Sequence, residues 1–178
     1  DRYSFGGWTP YYDQARILVK YFYEQGKRKF GLMYQDDEMG AIMKKGVEDQ
    51  LAVYKLPLEA ESYKRGATEF SSQITKLNKA EVDIVVLATI IRETVGALKE
   101  ANKIGWNVTM GGLTPTFTQY IPDLAQKAGI SADGFYAVGQ APYAYEDSPL
   151  PTVREWFKRH VEWFGKNPDQ PTTAGYTA

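Results

Sequence analysis

Cysteine is absent from the 178 residues, which removes thiol catalysis, disulfides and cysteine-based metal centres; such a composition suits an oxidising compartment without requiring one. Histidine occurs once. No apolar run approaches the roughly 20 residues that a membrane-spanning helix needs. Neither sign of charge is in excess, with 21 Lys and Arg against 22 Asp and Glu, so nothing electrostatic points to nucleic acid or to an anionic membrane. The basic triplet Lys27-Arg28-Lys29 precedes an apolar run and reads as a solvated turn. Asp1 opens the sequence without an initiator Met or a signal-peptide pattern, as expected of a mature protein or an excised piece. What the chain does have is aromatic content: Tyr, Phe and Trp make up 14% of it, enough to line a pocket once packing has taken its share.

The remaining pattern is organised around Arg28 to Gly40. Phe30 to Tyr34 form a short apolar run that ends at the acidic loop Asp36-Asp37-Glu38, and Met39, Met43, Val47 and Leu51 follow at helical spacing. A run without polar alternation suits a strand covered on both faces. The same alternation of strand and helix recurs about five times. A helix carries Tyr11, Ala15, Leu18 and Phe22 and stops at Gly26; an edge-like strand spans Val53 to Tyr63 around Pro57. Thr68 is the expected N-cap of a helix with Phe70, Ile74 and Leu77 inward. Val82 to Ala88 reads as an interior strand, and Ile91 to Ile104 as a helix with Val95, Leu98 and Ala101 inward. Asn107 to Gly112 and Gly134 to Gly139 are the last two strands, separated by a helix with Phe117, Ile121, Leu124 and Ala128. An amphipathic helix with Val153, Trp156, Phe157, Val161 and Phe164 follows. The expected fold is therefore an α/β three-layer domain with a parallel sheet in the flavodoxin-like order 2-1-3-4-5.

Such folds host enzymes, but the enzyme signatures are missing. There is no G-x-G-x-x-G turn, no Walker sequence and no G-x-S-x-G elbow. Asp36 and Asp37 supply the acidic pair of a phosphorylatable receiver domain, yet the strands that should end in Asp and Lys end in Ala88-Thr89-Ile90 and Val138-Gly139-Gln140. His160 sits among Trp156, Phe157 and Phe164 and reads as a packing residue. The three adjacent acids read as caps of the following helix rather than as a closed cation site. No catalytic residue, metal ligand or cofactor is expected.

Taken together, several stretches resemble the type I periplasmic solute-binding proteins of the leucine/isoleucine/valine-binding kind, the receptors of ABC importers. They are Tyr3-Ser-Phe with Asp13-Gln14, Phe30 to Gly40, Gly66-Ala-Thr-Glu-Phe-Ser71 with Ile74 and Leu77, Val82-Asp83 with Gly105, and Gly175-Tyr176-Thr-Ala178. The third is similar to the family's G-x-x-D-F-S-x-x-I-x-x-L segment. The resemblance implies one lobe of a two-lobe protein, with residues 1–10 as the end of the first lobe and the hinge crossing, 11–166 as the second, ligand-binding lobe, and 167–178 as a truncated segment heading back toward a missing N-terminal lobe. It also implies a periplasmic or lipid-anchored extracytoplasmic location, a membrane permease as partner and a small-molecule solute.

Where the family's amino-acid binders place an aromatic before the first loop's Gly, this chain has Met39. Where they place aromatics after the third strand, it has Ile90 and Ile91, next to Arg92. Where they place an acid after the fourth strand to hold the ligand's ammonium, an ungapped reading puts Thr114. A neutral hydroxyl cannot neutralise a buried ammonium. The expected ligand is thus a carboxylate with an apolar or aromatic body, with Met39, Ile90 and Ile91 as apolar wall, Thr114 as a hydrogen-bonding group, Arg92 as an anion partner and Trp8, in the hinge loop, as a stacking or packing residue. The alternatives are a ligand-sensing domain of a signalling protein and a genuine branched-chain amino acid binder.

Overall fold

In the computed structural model, which describes residues 9–140, 143–169 and 172–173, five strands form one parallel sheet. The strands are β1 (Phe30–Gln35), β2 (Leu58–Tyr63), β3 (Ile84–Ala88), β4 (Thr109–Gly112) and β5 (Phe135–Ala137), in the order β2-β1-β3-β4-β5. This is the expected order. Five helices accompany them: α1 (Tyr11–Glu24), α2 (Glu38–Tyr54), α3 (Ser71–Lys79), α4 (Ile91–Lys103) and α5 (Tyr120–Lys127). The chain divides into two units, Thr9–Val138 with the sheet and these helices, and a second whose described part contains α6 (Pro151–Phe164). The lobe expected over 11–166 takes in the first unit from Tyr11 onward and extends into the second.

Two cores explain the layers. On one face, Ala15, Leu18 and Phe22 of α1 and Met43, Val47 and Leu51 of α2 pack with Phe30, Leu32, Ile84 and Val86. On the other, Ile74 and Leu77 of α3 and Ala97 and Ala101 of α4 pack with Met33, Val85, Leu87 and Met110. Adjacent strand residues thus feed opposite cores, which is why β1 and β3 read as unbroken apolar runs. Gly26 ends α1 at φ +89°, a conformation that glycine adopts without steric cost.

Several expected boundaries move. Val53 lies within α2, and β2 begins only after Pro57, as a strand at the sheet's edge. Thr68 does not cap α3: the helix starts at Ser71 behind Phe70, without a side-chain cap. β4 and β5 are shorter than expected. Phe117 precedes α5, because a 3-10 turn at Thr114–Thr116 intervenes and Pro122 fits only in a helix's first turn. In α4, the buried face carries Glu93, Thr94, Ala97, Glu100 and the expected Ala101; Leu98 packs partly buried against the same core, while Val95 is half-exposed. Small residues mark this face: a Cβ on Gly96 would lie 2.6 Å from the Phe70 ring.

The basic triplet is more ordered than a solvated turn. Arg28 and Lys29 donate their backbone N–H groups to the Asp83 carboxylate, Lys27 Nζ donates to the Asp83 carbonyl, and the Arg28 guanidinium stacks 4.0 Å from the Tyr23 ring centroid. In the second unit, His160 is buried against Trp156 and Phe164, and its Nδ1 lies 3.1 Å from the Lys166 carbonyl oxygen. This is the packing role expected of it. Phe164, expected inward, is 62% exposed. The segment after Thr173 lies outside the described residues.

Candidate functional site

All strands run the same way, but the direction in which successive strands are added to the sheet reverses between β1 and β3, since β2 lies beyond β1 and β4 beyond β3. Loops leaving the carboxyl ends of these two central strands therefore diverge, and open parallel sheets bind ligands in the crevice between such loops.

The loop after β1 is fixed by Asp37, whose carboxylate accepts the Gly40 N–H at 2.9 Å and also the Gln35 side-chain amide. The Gly40 bond, then the Gln35 amide, the Arg65 charge and the Met39 N–H hold the Asp37 carboxyl below its ordinary range. Gly40 must be glycine because a Cβ would lie 1.8 Å from the Gln35 carbonyl oxygen. Of the three acids, Asp37 caps the helix and Glu38 lies in its first turn, while the Asp36 N–H donates to the Tyr63 carbonyl. Among the described residues, no three or more His, Asp or Glu side chains converge as a metal site.

After β3, Thr89 and Thr94 bury a hydroxyl pair at 2.6 Å, and the chain turns through Ile90 into α4. Ile90, Ile91, Arg92 and Val95 meet Pro115 and Leu124 to line an open groove of ≈ 600 Å³, with Arg92 its one charged lining residue among the described residues. Behind Arg92 lies Glu93, 1% exposed, whose Oε1 accepts from Arg92 Nη2 at 2.8 Å. Glu93 Oε2 and the hydroxyl of Tyr63, at the end of β2, are buried without hydrogen-bond partners. Burial raises the Tyr63 pKa, and the charges of Glu93 and Asp37 add to it.

Of the six expected site residues, the groove brings together Ile90, Ile91 and Arg92. Met39 does not line it: it is half-buried and packs against the α1/α2 core. Thr114 adjoins Pro115, but its hydroxyl donates to Gln14 Oε1 at 2.6 Å and its N–H donates to the same oxygen at 3.0 Å. That hydroxyl can still accept a hydrogen bond; its proton is committed. Trp8 lies outside the described residues.

Val95, Pro115, Leu124, Gln14, Tyr63 and Glu93 were not expected at the site. Leu124 and Val95 look like core positions of their helices, and Glu93 like a solvated first-turn acid. The one available signal was that Gly96, Ala97 and Ala101 mark the closely packed face of α4, which turns Val95 aside and Glu93 inward.

A family model described as "Periplasmic binding protein" matches residues 2–178. No curated protein sequence matches the chain. Among solved structures, a substrate-binding periplasmic protein from Ralstonia solanacearum is similar with a TM-score of 0.83 and 19% identity, over 100% of this chain and 50% of that one. A branched chain amino acid ABC transporter periplasmic ligand-binding protein from Burkholderia xenovorans LB400 is similar with a TM-score of 0.79 and 19% identity, over 98% and 46%. A fatty acid ABC transporter substrate-binding protein from Thermomonospora curvata is similar with a TM-score of 0.71 and 19% identity, over 90% and 42%. These identities carry the fold alone. The chain spans about half the length of each of these structures.

Proposed function

Since this chain belongs to the periplasmic binding protein family, we propose that it forms the ligand-binding lobe of a two-lobe receptor that delivers a small organic solute to an ABC importer. In this reading the protein acts outside the cytoplasm, hands its solute to a membrane permease and carries out no chemistry beyond binding. Residues 11–166 are the lobe, 1–10 the crossing into it, and 167–178 the return toward the other lobe. The lobes close on the solute by a hinge.

The solute is a carboxylate with an apolar or aromatic body. One observation carries this: the groove wall is Ile90, Ile91, Val95, Pro115 and Leu124, and among the described residues its one charged lining residue is the cation Arg92. Arg92 is the anion partner. Thr114 adjoins the groove through Pro115, Met39 packs against the α1/α2 core instead, and Trp8 belongs to the crossing.

A thermal-shift screen of the full-length protein tests this, since a ligand that binds only the folded form raises the melting temperature. Benzoate, phenylacetate and octanoate are compared with leucine, valine and phenylalanine. Stabilisation by carboxylates alone is the expected result; stabilisation by leucine or valine alone would sink the carboxylate reading while leaving the receptor intact. The second reading, a branched-chain amino acid receptor, is favoured by one feature: the buried Glu93 carboxylate beside Arg92, with an unpartnered oxygen.

A further inference from the structure

Arg92 and Glu93 form an unequal pair. The arginine side chain is 62% exposed and the glutamate 1%. An exposed arginine at a helix start would ordinarily be a solvated, rotating side chain; here a charge-assisted hydrogen bond of 2.8 Å holds one of its terminal nitrogens. The guanidinium has five N–H donors, so four remain.

Glu93 is poorly arranged for stability. Its Oε2 is buried with no donor, as is the Tyr63 hydroxyl with no acceptor, and a buried carboxylate is tolerated best when all its lone pairs are satisfied. Such a group asks for an explanation beyond packing. The cost is borne beside the groove's one charged lining residue.

We propose that Glu93 is a specificity-determining residue of the groove: its buried charge both orients and offsets Arg92. A solute then meets directed N–H donors with little net charge behind them. The inference rests on the carboxylate reading and deepens it. A bare arginine would hold any anion by charge; an oriented, offset one binds through directed N–H donors, so it prefers a carboxylate over its neutral amide by less and lets it go again.

The sign of the expected effect follows. A solute carboxylate on Arg92 is repelled by the Glu93 charge behind it, which is buried and so is screened less than a surface charge would be. In Glu93→Gln the shape and an acceptor for Arg92 remain, and the repulsion goes.

The experiment is calorimetric titration of the full-length protein with the most stabilising carboxylate of the screen and with its amide. Wild type, Glu93→Gln, Arg92→Met and the double variant are compared. In Glu93→Gln the carboxylate should bind about tenfold tighter relative to the amide; in the Arg92→Met background the same change should leave the ratio where it was. An unchanged ratio, or weaker carboxylate binding, in the single variant would overturn the proposal, and loss of leucine binding there would instead make Glu93 an ammonium partner. Wild type gives an independent readout if the variant does not fold: carboxylate affinity should fall less than about threefold between roughly 0.05 and 0.5 M salt, and a steeper fall would show an unbalanced cation. If wild type binds none of the carboxylates, the carboxylate reading itself has failed and takes this inference with it.

Discussion

Asp37 stands where β1 gives way to α2, and its carboxylate satisfies a backbone donor that the first turn of any helix leaves unpaired. Replacing it with Ala should cost about 1–2 kcal/mol in urea unfolding at neutral pH. The acid side can be signed. Because the folded-state pKa lies below the ordinary aspartate value, this contribution is present above that value and is lost as pH falls through the folded pKa. Wild type and Asp37→Ala should accordingly differ at pH 7 and converge as the pH falls through the lowered folded-state pKa. Tyr63 behaves in the opposite sense. Its pKa is raised in the folded protein, so its contribution is intact below the usual tyrosine value near 10.0 and is lost as pH rises beyond it. Tyr63→Phe removes a buried hydroxyl with no partner. That variant should unfold at an unchanged or higher denaturant midpoint at pH 7, and its stability should fall less steeply above pH 10. Asp37 was legible as a helix-start acid because its type and position suffice. Tyr63 and Glu93 were not, because nothing in a residue's identity says that its polar atom is buried without a partner.

At the level of elements, legibility followed how far each segment's local pattern agreed with its packing. β1, β3, α1 and most of α2 were readable since the residues that mark their pattern, such as Leu18, Phe22, Met43 and Val47, reach one core or the other. In α4, Ala101 is buried and Leu98 packs against the core as expected, but Val95 turns aside. Hydrophobicity favours Val95, whereas size decides: Gly96, Ala97 and Ala101 let the helix approach Phe70 and the sheet. α5 was misread at its start, where Pro122 and the 3-10 turn at Thr114–Thr116 delay the helix and leave Leu124 for the groove. Pro57 marked the β2 edge correctly but not its beginning. One helix end offers a test of local strain. Lys55 closes α2 in the left-handed region at φ 56°, where a side chain is disfavoured. Lys55→Gly should stabilise the protein by about 0.5–1 kcal/mol in denaturant melts, since the same turn is then made without that penalty. A destabilised variant would show that the Lys55 side chain is itself needed.

Across the first unit, the sheet order sets which loops can meet. The order 2-1-3-4-5 puts the ends of β3 and β4 side by side, so Ile90 and Ile91 reach Pro115 and Leu124 although a strand and a helix separate them in sequence. The order was readable from the alternation of segments. The pairing across the groove was not, because it depends on where α5 starts. One bond of this unit has a further consequence. Gln14 is fully buried; its amide nitrogen donates to the Thr9 carbonyl at 2.7 Å, and its oxygen receives two hydrogen bonds from Thr114, 100 positions later. The side chain therefore closes a long loop, and the first turn of α1 cannot fray without releasing the turn that carries Pro115. The two segments should open as one cooperative step in hydrogen exchange, with the Thr114 amide as protected as its neighbours in α1. In Gln14→Leu that amide should exchange at least about tenfold faster, while amides at the centre of β3 keep their protection. Gln14 would then be a latch of local folding: the wall of the groove is as durable as a helix turn at the far end of the sequence.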